Sequence, residues 1–176
     1  MTLYIVRHGQ TEENLQRILQ GHLPGQLTDT GKEQMEQAAM MLQEKGTAFD
    51  CIVSSDLKRA MDSAQIIATR LGLTLTPYPI LRERDWGPCT GMPIAEAAQI
   101  YRTGGQWDFP PAVETEEQIY MRAQRALELL KTDYDGRDLI VVTHGLFARC
   151  LIAARFGCSF REVNSMMNAE IRTLSL

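Results

Sequence analysis

The sequence predicts a single α/β domain over residues 1–176, a three-layer α/β/α sandwich whose mostly parallel sheet has an antiparallel edge strand. Short apolar runs alternate with segments of helical periodicity, which is typical of a parallel sheet covered by helices on both faces. A length of 176 residues suits one domain with a full hydrophobic core. An apolar content of 44% and a charged content of 23% are those of an ordinary globular protein.

The N-terminal half is predicted to contain three strands and three helices. Apolar residues at helical spacing indicate the two longer helices, and Gly46 and Gly72 end them. Pro79 ends the third strand, because proline cannot donate to a sheet ladder. In chain order we predict a strand at Leu3–Val6, a short helix at Glu12–Asn14 capped by Thr11, a helix from Thr28 or Asp29 to Gly46, a strand at Phe49–Ser54, a helix at Leu57–Leu71 and a strand at Leu73–Tyr78.

The C-terminal half is predicted to contain three helices and two strands, with irregular chain at residues 80–91 and 103–111. Thr115 and Gln118 form a capping-box pattern at the start of a long helix. The last segment alternates and fits an edge strand, and pairing with a second copy there would give a homodimer. The predicted elements are a helix at Ile94–Arg102, a helix at Thr115–Lys131, a strand at Asp138–Thr143, a helix at Leu146–Phe156 and a strand at Glu170–Leu176.

Composition limits the partners and the compartment. A net charge of −4 favours neither nucleic acid nor an anionic membrane surface. We expect neither a spanning helix nor a signal peptide, since every apolar run is too short. The four cysteines include no C-x-x-C pair, which argues against a zinc knuckle and against a disulfide framework. We therefore expect a cytoplasmic protein without nucleic-acid or membrane partners.

Three predicted strands end in polar residues. The carboxyl ends of parallel strands meet at one edge of a sheet, where ligands usually bind. Scattered side chains should therefore share one pocket. These are Arg7, His8, Asn14, Arg59, Glu83 and His144.

The chemistry of this group favours an anion. Two arginines present planar forks of donors, which suit phosphate or sulfate oxygens. Arg59 also opens a helix, where the helix dipole attracts negative charge. The pair His144-Gly145 after a buried strand repeats the pair His8-Gly9.

The residues alone leave three alternatives open. The two histidines are also typical of satisfied core imidazoles, and Asp85 competes with Glu83 as the pocket carboxylate. His8, His144 and Glu83 have the residue types of a metal site, although two adjacent arginines would repel the cation.

Taken together, the positions resemble the histidine phosphatase superfamily, the phosphoglycerate-mutase-like proteins. The resemblance spans the chain from end to end in family order. The motifs that carry it are Leu3–Thr11 with Asn14, Gln20–Leu23, Leu27-Thr28-x-x-Gly31, Ser54–Ala60, Leu81–Glu83 with Gly87 and Gly91, and Val141–Gly145.

The resemblance implies transfer of a phosphoryl group through a phosphohistidine, with no metal and no cofactor. His8 would be the nucleophile, and Glu83 the general acid and then the general base. Arg7, Arg59 and His144 would hold the phosphoryl oxygens. The expected substrate-binding residues are Asn14, Gln20, Gly21, Gly145 and Leu146.

Within the family, the short chain looks most like small bacterial phosphatases such as α-ribazole phosphatase. Mutases of the family are longer, whereas here only residues 87–115 are available as a lid, and an open mouth admits water. We therefore expect a phosphomonoester hydrolase acting on a small phosphorylated metabolite. The alternatives are a phosphoglycerate mutase and a non-catalytic phosphoryl-binding regulatory module.

Two segments depart from the family pattern and make any substrate taken from the family uncertain. Pro24-Gly25 stands where an acidic residue is frequent, and Cys89-Thr90-Gly91 where an aromatic-acidic-Gly triplet is frequent. In the predicted lid, Trp107 and Phe109 would either stack on an aromatic leaving group or cover the core.

Overall fold

The computed structural model describes residues 1–176 and contains a central five-stranded sheet and a separate two-stranded hairpin. The order of the strands in the sheet is β3-β2-β6-β1-β7, and β4 pairs only with β5. The strands are β1 (Thr2–Arg7), β2 (Cys51–Ser54), β3 (Leu75–Pro77), β4 (Arg102–Thr103), β5 (Gln106–Trp107), β6 (Leu139–Thr143) and β7 (Ile171–Ser175).

The pairing of the strands confirms the predicted sheet. β1, β2, β3 and β6 are mutually parallel, whereas β7 runs antiparallel along β1 at the edge. In the register of β1 with β6, Arg7 lies beside Thr143. The residue that follows each of these two strands is a histidine, so the register alone brings His8 and His144 to the same edge of the sheet.

Four of the six α-helices pack against the two faces of the sheet. The hydrophobic stripe of each long helix faces it, and three short 3₁₀ turns lie at Pro79–Leu81, Gly87–Cys89 and Phe160–Glu162. The α-helices are α1 (Glu12–Leu15), α2 (Asp29–Glu44), α3 (Lys58–Leu71), α4 (Ile94–Tyr101), α5 (Glu116–Asp133) and α6 (Gly145–Phe156).

The core has two halves, one on each face of the sheet. Leu3 and Ile5 of β1 pack against the layer of α5 and α6, whereas Tyr4 and Val6 pack against the layer of α2 and α3. Burial of each such side chain stabilises the fold by about 1.5–3 kcal/mol. Both faces of β1 are therefore fixed, and the residue that follows the strand has little freedom to move.

Helix termini agree with the predicted signals. Thr11 and Thr115 cap α1 and α5 through capping boxes, with Asn14 and Gln118 returning the hydrogen bond. Gly72 adopts the left-handed conformation that ends α3, at φ +68°.

Some boundaries differ from the prediction. β2 and β3 are shorter than expected, because Phe49 leaves the ladder to pack edge-on against Tyr4 and Pro79 starts a 3₁₀ turn. The hairpin of β4 and β5 occupies the last residue of the predicted helix, Arg102, and part of the predicted loop at residues 103–111, and Gly104 and Gly105 join its strands at positive φ. Strands of two residues show no alternation, which is why the pattern did not indicate them. No helix has the length and apolar character needed to cross a membrane.

Candidate active site

Two histidines face each other at the carboxyl edge of the sheet. His8 follows β1 and His144 follows β6, with ring centroids 5.2 Å apart and ring planes inclined at 62°. Their exposed fractions are 3% and 0%. The ends of β1 and β6, two of the three strand ends predicted to meet, therefore lie close together.

The tautomer of His8 is fixed from both sides. Nδ1 lies 2.8 Å from the carbonyl oxygen of Gly9, which can only accept, so Nδ1 carries the proton. Nε2 accepts the Nε–H of Arg59 at 3.3 Å, so Nε2 presents its lone pair. Burial, together with the charges of Arg59 and Arg7, holds the pKa of His8 well below its ordinary value. At neutral pH the ring is therefore uncharged and nucleophilic at Nε2.

Arg59 is almost fully buried and held by the neighbouring loop. Its terminal nitrogens donate to the carbonyls of Gly21, at 2.9 Å, and Leu23, at 2.5 Å. Burial lowers the pKa of Arg59 to about 10, which leaves it cationic at neutral pH. Gly25 leaves room for the Arg59 side chain, because a Cβ on that residue would lie only 2.8 Å from Cδ of Arg59. Pro24-Gly25, one of the two segments that depart from the family pattern, thus lies beside the side chain of Arg59.

Arg7 and His144 each have a buried nitrogen without a hydrogen-bond partner. Arg7 donates from Nη1 to the carbonyl of Met166 at 2.6 Å, but its Nε has no partner. Nε2 of His144 lies 2.8 Å from the hydroxyl of Ser55, and its Nδ1 has no partner. These are the only two such side-chain atoms in the protein. An unsatisfied buried polar atom costs about 1–3 kcal/mol, so both nitrogens favour a bound ligand with oxygen atoms.

The pKa values of these two residues follow from the same surroundings. Burial, then Arg59, His8 and Arg7, hold the pKa of His144 well below its ordinary value. Burial also lowers the pKa of Arg7, and the carboxylates of Glu83 and Glu170 oppose that shift.

Glu83 lies against the N-terminus of α6. The amide of Leu146 donates to its Oε2, and the amides of Phe147 and Arg84 donate to its Oε1, at 3.1, 3.1 and 2.9 Å respectively. Oε2 therefore has only one backbone partner and keeps capacity for a proton or a ligand. Asp85 instead accepts from the amide of Gly87 and lies near His22, so the structure favours Glu83 as the pocket carboxylate.

A cavity of about 160 Å³ is lined by Arg7, His8, Arg59 and Glu83, whereas the fully buried His144 does not line it. A hollow of about 950 Å³ lies elsewhere, beside α2 and α3, but its charged side chains are solvent-exposed and form pairs such as Lys58 with Asp62. The smaller cavity is the better candidate because buried donors open onto it. Its lining residues are Arg7, His8, Asn14, Ile18, Leu19, Gln20, Gly21, Arg59, Glu83, Trp86 and Ile94.

Asn14 and Gln20 present amides toward this cavity. Oδ1 of Asn14 accepts from the amide of Thr11 and from Nδ2 of Asn168, which leaves the Asn14 amino group available. Oε1 of Gln20 accepts from the Thr11 hydroxyl at 3.2 Å, which leaves its amino group available too. Gly21 also lines the cavity.

Gly145 and Leu146 have contacts other than the expected ones. Neither residue lines the cavity, and the Leu146 amide donates to Glu83. A Cβ on Gly145 would lie 3.2 Å from Nε of Arg7, so this glycine lets Arg7 approach α6. Direct contact of either residue with substrate stays a prediction.

Trp107 and Phe109 lie one layer behind the cavity. Their rings stack at 4.8 Å with an interplanar angle of 7°, and Phe109 contacts Trp86 at 5.2 Å. Of the three rings only Trp86 lines the cavity. The two lid aromatics therefore support its wall.

Sequence reasoning assigned no role to Ser55, Met166 and Asn168. Ser55 lies within a motif that carries the family resemblance, but its contact with His144 depends on the pairing of β2 with β6. Asn168 donates to the carbonyl of His8 at 3.1 Å across 160 residues of sequence. No local pattern marks residues 164–169, so no sequence signal was available for them.

No group of three His, Cys, Asp or Glu side chains in the structure has the geometry to hold a metal ion. His8, His144 and Glu83 are not such a group.

The chain also matches known proteins over almost its full length. Phosphoglycerate mutase-like protein 4 of Arabidopsis thaliana is 34% identical, with 99% of this chain and 79% of that protein covered. A broad-specificity phosphatase of Saccharomyces cerevisiae is 33% identical, over 85% of this chain and 68% of that protein. The α-ribazole phosphatase of Shigella flexneri shares the fold, with a TM-score of 0.86 at 21% identity over 100% of this chain and 91% of that one.

The sequence pattern of one family covers residues 3–176. The expected family and the α/β/α fold are thereby confirmed, and solved α-ribazole phosphatases share this fold. The chain belongs to the histidine phosphatase superfamily, branch 1.

Proposed function

We propose that this protein is a metal-independent phosphomonoester hydrolase that forms a phosphohistidine at His8 and acts on a small phosphorylated metabolite. One observation carries the proposal. The uncharged ring of His8, whose Nε2 accepts from Arg59, lies 5.2 Å from the ring of His144, and the protein's only two unpartnered buried side-chain nitrogens are Nε of Arg7 and Nδ1 of His144. A phosphoryl group supplies both the electrophile for the lone pair and the oxygens for the two nitrogens.

In the first step, Nε2 of His8 attacks phosphorus and the bond from phosphorus to the leaving oxygen breaks. Arg59 turns its Nε–H from His8 to a phosphoryl oxygen, and Arg7 and His144 bind the other oxygens. Protonated Glu83 gives its proton to the leaving alkoxide. Two cations in a site shielded from water stabilise the charge that spreads over these oxygens in the transition state.

In the second step, water attacks the phosphohistidine. Glu83 takes a proton from the water, the new oxygen bonds to phosphorus and the bond from phosphorus to His8 breaks. Inorganic phosphate leaves, His8 is neutral again and Glu83 is again protonated, so atoms and charges balance over the cycle.

The lining of the cavity supports a phosphatase over a mutase. Its only cations are Arg7 and Arg59, and both are engaged with the phosphoryl group in this mechanism. The remaining wall, with Ile18, Leu19 and Ile94, offers no cation for the carboxylate of a phosphoglycerate. Both phosphatases and mutase-like proteins occur among the relatives, so phosphoglycerate mutase is the second candidate.

A reducing compartment suits this protein. All four cysteines are free thiols, and Cys51, Cys89 and Cys150 are buried. We therefore assign the reaction to the cytoplasm, a proposal that localisation of the full chain in intact cells would test.

The decisive experiment is a rapid-quench reaction with ³²P-labelled p-nitrophenyl phosphate, followed by acid and alkali treatment of the protein. We expect an acid-labile, alkali-stable label on the wild-type chain, none on His8→Asn, and phosphate release that EDTA does not change. Loss of activity with EDTA would contradict metal independence. Conversion of 3-phosphoglycerate without net phosphate release would favour the mutase. Absence of turnover on a broad phosphoester panel would favour the regulatory module.

A further inference from the structure

The segment that carries Glu83 needs support from outside itself. Glu83 lies between two 3₁₀ turns, in a stretch that belongs to no strand or helix. The N-terminus of α6 holds its carboxylate, as described above. The backbone of the segment is held mainly from α5, by the guanidinium of Arg122.

Arg122 uses all five of its N–H donors. Nη1 donates to the carbonyls of Ile80, at 2.9 Å, and Arg82, at 2.7 Å. Nη2 donates to the carbonyl of Glu83 at 3.3 Å and to Glu114 at 2.8 Å, and Nε donates to Glu114 at 2.8 Å. Three carbonyls over four residues are therefore held by one side chain. A guanidinium suits this task, because its donors lie in one rigid plane.

Arg122 also contacts the other support of Glu83. Its guanidinium lies over the ring of Phe147, 4.2 Å from the centroid, and the amide of Phe147 donates to Oε1 of Glu83. The same side chain thus joins the segment that carries the carboxylate to the helix that binds it.

Glu114 completes the arrangement just before α5. Its side chain pairs with Arg122 and accepts from the amide of Asp85, and its carbonyl accepts from Nε of Arg84. The side chains of Arg122 and Glu114 are only 21% and 14% exposed, so the pair is shielded from solvent. A bidentate pair in such surroundings holds its geometry better than an exposed one.

We infer that Arg122 is a positioning residue for proton transfer by Glu83. This inference rests on the proposed function and assigns Arg122 no contact with substrate. Arg122 fixes where the Glu83 carboxylate stands relative to the leaving oxygen, and it does not change how His8 or the cations meet the phosphoryl group. A displacement of about 1 Å in such a group costs about 10²-fold in rate.

A change in the leaving group separates this role from a general structural one. Benzyl phosphate releases a basic alkoxide that needs a proton, whereas p-nitrophenyl phosphate releases a stabilised phenolate that does not. The ratio of kcat/KM for the two substrates therefore reports proton donation, and both values cover only the steps up to the phosphohistidine. We expect Arg122→Met to lower this ratio about 10- to 100-fold. Arg122→Lys should recover part of the loss.

Arg149 provides a matched control. It is also partly buried, lies over the ring of Phe160 and donates to two carbonyls, those of Phe160 and Val163, but it donates no hydrogen bond to the segment that carries Glu83. Arg149→Met should leave the ratio within about twofold of wild type, even if it lowers thermal stability as much as Arg122→Met does. Should Arg122→Met not fold, Glu114→Gln removes charge from the same pair and should lower the ratio.

The outcomes separate this inference from the proposed function. If Arg122→Met and Glu114→Gln slow both substrates equally, Arg122 has only a structural role and the inference is overturned. If Glu83→Gln itself leaves the ratio unchanged, the acid role proposed for Glu83 fails instead. When both roles hold, adding Arg122→Met to Glu83→Gln lowers the ratio no further, since the proton donor is already absent.

Discussion

The two sides of the cavity are built in different ways. His8 and His144 directly follow neighbouring strands, and the register of β1 with β6 fixes them. Glu83 follows no strand, and its place depends on hydrogen bonds from α5 and α6. In the proposed mechanism, the phosphoryl side (His8 and His144) is therefore positioned by the sheet, and the proton-transfer side (Glu83) by hydrogen bonds from α5 and α6. A substitution on the phosphoryl side should slow the hydrolysis of every substrate. The effect of a substitution on the proton-transfer side should depend on the leaving group.

The largest effect is expected for the phosphoryl side. His8→Asn removes the nucleophilic Nε2, so kcat/KM should fall at least about 10⁴-fold for p-nitrophenyl phosphate and benzyl phosphate alike. Steady-state phosphate release measures both, and circular dichroism checks that the variant folds. Substantial remaining activity on either substrate would show that another group attacks phosphorus.

Glu83→Gln should have a large but selective effect. Glutamine keeps the shape, but its single oxygen can accept from only one of the two α6 amides, and it supplies no proton. We expect kcat/KM for benzyl phosphate to fall about 10²–10⁴-fold. The value for p-nitrophenyl phosphate should fall much less. Equal losses on both substrates would remove the distinction between the two sides of the cavity.

The pH dependence of stability should come mainly from the phosphoryl side. His8 and His144 have pKa values well below the ordinary one in the folded protein, so below about pH 6.5 the unfolded chain binds more protons. The free energy of unfolding should then fall with falling pH, by up to about 1.4 kcal/mol per pH unit for each histidine. Urea unfolding at pH 7.5 and 5.5 measures this slope, and His8→Asn should reduce it by about half. A stability that rises on acidification would contradict the buried, neutral rings.

The smallest effect is expected for Ser55→Ala, which removes the hydrogen bond to Nε2 of His144. One such bond contributes about 0.5–1.5 kcal/mol, so kcat/KM should fall about 3- to 10-fold on both substrates. Ser54→Ala is the matched control, because that neighbouring buried hydroxyl donates only to the carbonyl of Ser55. A loss confined to benzyl phosphate would place Ser55 on the proton-transfer side instead.

The difference between the two sides also explains what the sequence could predict. A buried strand followed by a histidine is a local pattern, and parallel pairing brings such strand ends together, so residues 7, 8 and 144 could be placed without coordinates. Helix periodicity and caps likewise gave α2, α3, α5 and α6. The contacts of Arg122, Ser55 and Asn168 join residues far apart in sequence with no periodicity. Their partners are mostly backbone groups, which every residue type offers, so composition gives no signal.

The last strand, β7, and the segment before it affect how the protein folds. Met166 accepts a hydrogen bond from Arg7, Asn168 donates to His8 and Asn14, and β7 pairs with residues 2–6 of β1. Residues near the amino end therefore reach their final positions only after a segment more than 150 residues downstream has folded. Contacts between residues so far apart in sequence slow folding. A polypeptide lacking residues 166–175 should therefore have none of the proposed phosphatase activity.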